Sequence, residues 1–217
     1  MTGLDLVNAL TGLLTVTALL VIEAKDVRRS ALYYALQSFV LVLVFLALAA
    51  TVNAHQLFAW AGTAFVTKVL LVPLIIYRVL GSMSGASPPP GPLLGPAWTI
   101  LFAAAVVAAS FGVVSSIHLP GAPELKPALA VSLAHFFLGL ACIVIQRNIL
   151  KQIFGYCLME NGSHLTLALL ANGAPELVEI GVATDAIFAV VVMVILGRLI
   201  HSRLQSLDAR ELTSLRG

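Results

Sequence analysis

Seven apolar runs, each long enough to cross a lipid bilayer as a helix, limit what this chain can become. A hydrocarbon core ~30 Å thick takes roughly 20 apolar residues per crossing. The runs fall at about 4–23, 31–53, 57–80, 96–117, 127–146, 150–171 and 177–200. Inside lipid the backbone N–H and C=O groups find no water, so a segment this long must satisfy them internally by coiling. Composition agrees: 60% of residues are hydrophobic and 10% are charged, against about 25% charged in a soluble domain. The expectation is an all-α, polytopic integral membrane protein with about seven transmembrane helices. The first run does not read as a signal peptide, because Asp5 precedes it and neither a basic leader nor a small-residue cleavage site is evident.

The joints carry turn chemistry: "NAHQ", "HLPGAPELKP", "NGAPE" and the long Pro/Gly-rich stretch from Gly81 to Pro96, expected to form a semi-extended surface linker. Basic residues orient the spans. Lys25, Arg28 and Arg29 follow the first, Arg78 the third, Arg147 and Lys151 the fifth, and Arg198, Arg203, Arg210 and Arg216 the seventh, while the intervening loops hold only Lys126. Odd-numbered spans are therefore expected to end in the cytoplasm, with the N-terminus outside and the tail inside. No basic patch interleaved with aromatics suggests a nucleic-acid partner. Cys142 and Cys157 form no CxxC pair, so neither a metal site nor a disulfide framework is implied.

The chain also resembles itself. "VRRSALYYALQSFVLVLVFLALAA" (Val27 to Ala50) is similar to "IQRNILKQIFGYCLMENGSHLTLALL" (Ile145 to Leu170), and "LFAWAGTAFVTK" pairs loosely with "LVEIGVATDAIF". Arg29 matches Arg147, Gly62 matches Gly181 and Arg78 matches Arg198. The spans of residues 1–80 would then repeat in residues 127–217, with residues 81–126 supplying the linker and one spacer span. An odd spacer keeps the repeats parallel.

Within this lipid-like sequence a few side chains are out of place. Lys68, His135, Glu160 and Asp185 lie well inside their spans. At ~1.5 Å per residue from the nearest basic residue, Lys68 is roughly 15 Å deep, His135 roughly 18 Å, and Glu160 and Asp185 roughly 20 Å each. Four ionisable groups thus share one slab near the middle of the bilayer, where a charge costs about 2.5–3.5 kcal/mol. Two acids and a lysine at one depth suit lateral proton transfer. His164 lies one turn from Glu160 and is expected to bond to it or relay from it. Glu179 sits nearer the outer end of its span, as a further proton-transfer candidate or an interfacial residue. Asn161 and Ser163 are placed to orient water. Pro73 is expected to kink the third span just after Lys68. Glu23 and Asp26 are expected to pair with the adjacent basic residues, and Glu124, Glu176 and Asp208 to be solvated. A structural interhelical hydrogen bond is the alternative role for each buried group.

No nucleophile elbow, P-loop, zinc-protease helix or haem attachment motif is present. His135 and His164 are a conceivable haem pair, but the nearby acids argue against one, and no cofactor is expected.

The last three spans, with "QRN" after the fifth, "ENG" in the sixth, "ELVEIGVATD" opening the seventh and a terminal "LRG", resemble the K subunit of respiratory complex I and the C subunit of Mrp-type antiporters. Over essentially the whole chain the sequence is similar to the hydrogenase-4 component E family of formate hydrogenlyase-type membrane complexes. The resemblance implies a non-redox subunit of a prokaryotic inner-membrane hydrogenase, set between antiporter-like membrane subunits and a hydrogenase arm of NiFe and Fe–S subunits. In the K subunit two buried carboxylates in consecutive helices lie on the proton path. The second corresponds to Asp185. The first falls on Cys157, and this chain has its acid three residues later, at Glu160. Glu160 and Asp185 are the expected carriers, with Lys68, His135 and His164 as relays or modulators. A purely structural membrane subunit, a subunit of an Mrp-like cation/proton antiporter and an independent transporter are the alternatives.

Overall fold

The computed structural model describes residues 3–82, 91–117 and 123–214. Residues 83–90 of the expected linker, part of the "HLPGAPELKP" joint, Arg216 and the terminal "LRG" lie outside the described residues. The described residues are mainly helical: α1 (Gly3–Glu23), α2 (Val27–Val52), α3 (Gln56–Ala64), a π-helical segment (Phe65–Leu71), α4 (Val72–Ser82), α5 (Pro96–Ser115), α6 (Lys126–Ile145), α7 (Ile149–Leu170) and α8 (Glu176–Leu204). The third rod runs without a break through α3, the π segment and α4.

Among the described residues, six rods are long and apolar enough to cross a membrane. The seventh, α7, has 22 residues but carries Lys151, Glu160, Asn161 and His164, which interrupt its apolar run. These side chains turn towards polar partners at the end of α1, on α2, on the third rod and on α8. The protein is a multi-pass membrane protein whose most polar helix is the best enclosed by its own chain.

Helix ends follow local chemistry. Asp26 caps α2 by accepting from Arg29 N at 2.8 Å, so that helix starts four residues earlier than the apolar run suggested. The Asp26 carboxylate also pairs with Arg29 at 3.3 Å, as expected of the acids at this end. Asn148 caps α7 by accepting from Leu150 N at 2.9 Å. The last carbonyls of α1 would be orphaned in an apolar surrounding. Gln146 donates to Ile22 O at 2.9 Å, and Lys151 Nζ donates to Ile22 O at 3.0 Å and Ala24 O at 2.8 Å. A cation at a helix C-terminus also opposes the negative end of its dipole. Asp208 departs from its expected solvated role. It pairs with Arg147, while Ala209 N donates to Arg147 O at 2.9 Å and Ile149 N to Leu207 O at 3.1 Å, so the tail is tied back onto the α6–α7 turn. The guanidinium hydrogen bond holds the Asp208 carboxyl below its ordinary range.

α1 packs on α2 and α6 on α7; α1 then meets α6 and α2 meets α7, with α5 against α6 and α8 against α7, α3 and α4. The α6–α7 approach depends on glycine. A Cβ on Gly139 would lie 2.6 Å from Gly155 O, and one on Gly162 would lie 2.9 Å from Ser132 O. Small residues let backbones approach this closely in membranes, where packing replaces the hydrophobic drive.

The apolar interior falls into two clusters. One holds Phe45, Leu48, Leu57, Trp60, Leu129 and Leu165. The other holds Tyr34, Ile76, Leu138, Leu150, Phe154 and Leu158. On α2 the change from one to the other occurs at Gln37 and Ser38, on the third rod at Lys68, on α6 around His135, and on α7 between Leu158 and Leu165. The fold therefore sandwiches a polar layer between two apolar cores. Substituting Gly162→Ala is expected to push α6 from α7 and destabilise the protein by about 1–3 kcal/mol, read as a lowered unfolding midpoint in detergent; an unchanged midpoint would mean the two backbones are not in contact.

Candidate functional site

The centre of the polar layer is the ammonium of Lys68. Its backbone is unusual: Val72 N bonds to Thr67 O, five residues back, in the π segment. Pro73 has no N–H to return to the carbonyl four residues before it, and a π segment is one way a helix absorbs that loss. The expected kink is thus a widened turn, and Lys68 lies in it.

Lys68 Nζ lies 2.6 Å from both carboxylate oxygens of Glu160, 2.8 Å from Asn161 Oδ1 and 3.1 Å from His164 Nδ1. All three partners sit on α7 within five residues, on the side facing the third rod. The Lys68 side chain is 2% exposed and that of Glu160 12%. Glu160 and His164 do not bond to each other; Lys68 stands between them. His164 Nε2 reaches Glu179 Oε2 at 2.7 Å, both side chains being at most 3% exposed. Glu179 is therefore a buried member of the layer and not an interfacial residue. The His164 ring is fixed by Phe45 and Trp60, with ring centroids 4.8 and 5.4 Å away.

A second branch leads to His135. Asn161 Nδ2 donates to Gln37 Oε1 at 2.8 Å, and Gln37 Nε2 lies 3.0 Å from His135 Nε2. Because Asn161 offers its oxygen to the ammonium, its amide nitrogen must donate onward, and Gln37 follows suit. His135 Nε2 then accepts and carries its proton on Nδ1, which is buried with no hydrogen-bond partner among the described residues. The charge on Lys68 aligns this whole branch.

Asp185 stands apart. It is exposed on the surface of α8 and makes no hydrogen bond or ion pair among the described residues. Six residues separate it from Glu179, which rotates it about 120° round the helix. It does border a cavity of about 290 Å³ that is also lined by Tyr156, Glu160, Ser163 and His164. The two acids expected as carriers share this cavity and not a hydrogen bond.

Lys68, His135, Glu160, His164 and Glu179 are thus joined in one network, and Asp185 lies at its edge. Gln37 and Ser38, which is 3.4 Å from Asn161 Nδ2, were not singled out from the sequence. The signal for Gln37 was present, an amide alone in "YYALQSFVLVLVF". Cys157, at the position where the K-subunit resemblance puts an acid, is packed in an apolar cluster at 2% exposure. An acid one turn on, at Glu160, meets Lys68.

Removing one partner of a buried ion pair costs about 3–5 kcal/mol, because the survivor is left uncompensated. In a double-mutant cycle, Lys68→Met and Glu160→Gln are each expected to lower the unfolding midpoint, and the double variant to lose clearly less than the sum. Additive losses would mean the pair does not form.

Residues 127–217 match the family described as NADH-ubiquinone/plastoquinone oxidoreductase chain 4L. Over all 217 residues of both chains the sequence is 56% identical to Hydrogenase-4 component E of Escherichia coli (strain K12), and equally to that of Shigella flexneri. It is also 25% identical over 200 residues, 89% of each chain, to an uncharacterized protein of Mycobacterium tuberculosis. No solved structure matches. Full-length identity at this level, together with the chain 4L match over the helices that carry Glu160, His164 and Glu179, assigns the chain to the hydrogenase-4 component E family.

Proposed function

We propose that this chain is a non-redox subunit of a complex I-like, membrane-bound NiFe hydrogenase, and that its midspan layer moves protons sideways through the membrane arm. The observation that carries the reading is the Lys68–Glu160 pair. It is buried on the lysine side, and on the glutamate side it opens into the cavity that Asp185 borders. A carboxylate so placed can take a proton from the cavity while its counter-charge waits behind it. Kinship with Hydrogenase-4 component E supports the hydrogenase assignment, and the chain 4L match supports the link to complex I.

On this reading Glu160 and Asp185 are the carriers at the cavity, Lys68, His164 and Glu179 form the interior of the path, and His135, reached only through amides, modulates it. Asp185 lies on an apolar face with exposed Leu177, Ile180 and Phe188. A neighbouring antiporter-like subunit covering that face would complete the cavity, with the NiFe and Fe–S subunits lying elsewhere in the complex. The basic residues at the ends of the odd-numbered spans support an N-terminus outside and a cytoplasmic tail, and kinship with Hydrogenase-4 component E supports a prokaryotic inner membrane. The packing of α1 on α6 and α2 on α7 supports a parallel repeat of residues 1–80 in residues 127–217, with α5 as spacer.

The test is the Glu160→Gln complex, purified whole and reconstituted in vesicles. It is expected to assemble and turn over hydrogen while proton translocation is lost. Unaltered translocation would reduce the chain to a structural role. The Lys68→Met/Glu160→Gln variant, which leaves no buried charge, serves if the single variant does not assemble. Co-purification with other antiporter subunits and no NiFe subunit would favour a cation/proton antiporter.

A further inference from the structure

Lys68 Nζ faces more acceptor atoms than an ammonium has protons. The two oxygens of Glu160, both at 2.6 Å, share one; Asn161 Oδ1 at 2.8 Å takes another, and His164 Nδ1 at 3.1 Å the last. His164 therefore carries its own proton on Nε2, aimed at Glu179 Oε2, 2.7 Å away. The row ends at Glu179 Oε1, which is buried without a hydrogen-bond partner among the described residues.

Resting on the reading that this layer moves protons, we infer that the His164 imidazole is the relay that passes a proton from Lys68 to Glu179 by exchanging its tautomer. The step breaks a Lys68 N–H bond and forms Nδ1–H, and it breaks Nε2–H and forms a Glu179 O–H. The ammonium becomes an amine, the carboxylate becomes an acid, the imidazole stays neutral, and the number of protons is unchanged. Both hydrogen bonds of the relay survive with their direction reversed: Nδ1–H donates to the amine, and the Glu179 hydroxyl donates to Nε2. No heavy atom has to move.

Glu160 sets the direction. It is the carboxylate of the network that borders the cavity, which His164 also lines. A proton arriving there removes the counter-charge from Lys68, leaving an ammonium held by an amide and an imidazole between two apolar cores. Passing the proton on to Glu179 removes both buried charges together. After Glu179 releases its proton, Glu160 recharges Lys68, and the first tautomer returns when Nε2 takes a proton from the cavity that His164 lines and Nδ1 returns one to it. The branch through Asn161 and Gln37 takes no part in transfer, because amides hold their protons too firmly. It orients the lysine.

The test uses His164→Gln in the whole complex. Glutamine can hydrogen-bond in place of the ring but cannot exchange protons. Translocation is expected to fall about a hundredfold. The infrared carbonyl band of protonated Glu179, identified by its absence in Glu179→Gln, is expected to vanish from the turnover difference spectrum of His164→Gln. Native translocation in His164→Gln, with translocation lost in Glu160→Gln, would overturn the relay and leave the proton path standing. Native translocation in both would overturn the path itself. Should His164→Gln not assemble, Glu179→Gln blocks the same step at its far end, and native translocation there would overturn the relay equally.

Discussion

An ammonium in the middle of a membrane has to be matched, and the matching of Lys68 organises the rest of this protein. A charge at that depth costs about 2.5–3.5 kcal/mol, and here three side chains of α7 offset it: a carboxylate, an amide and an imidazole. Their arrangement requires α7 to lie close beside the third rod. That position is secured from behind by the glycine-lined contact with α6 and by the two apolar cores that meet at the layer. The π segment around Lys68 belongs to the same constraint, since it positions the one cation that the α7 groups share.

The layer is asymmetric, and the function proposed for it rests on that. On one side a line of amides leads to His135 and stops at a buried nitrogen. On another an imidazole joins the lysine to a second carboxylate, Glu179. On the third, Glu160 meets a cavity edged by Asp185. A fully structural ion pair would be closed on all sides. This one has a mouth at Glu160 and a buried end at Glu179, linked by titratable groups.

Much of this was legible in the sequence, because physics leaves few reasons to put charge in lipid. The depths of Lys68, His135 and Glu160, counted from the basic residues, placed them in one layer, and they are in one network. Glu179 was harder to place. Counting along one span put it near the outside. α8, however, turns back from α7 through a short loop, so its early turns lie beside the last turns of α7, and Glu179 meets His164. Asp185 shows the reverse: counting grouped it with the others, but the direction in which a helix presents a side chain is decided by packing, and Asp185 is exposed on α8. Gln37 was passed over because it is uncharged, although an amide in lipid also needs partners. The tail was misjudged at Asp208 because sequence spacing does not reveal that it folds back to Arg147.

The central claim is that the buried cation takes part in proton movement and does more than hold helices together. The most direct measurement is the number of protons translocated per hydrogen molecule by vesicles containing the assembled Lys68→Met complex. The account expects hydrogen turnover to continue with that ratio close to zero. A ratio equal to that of the native complex would contradict it.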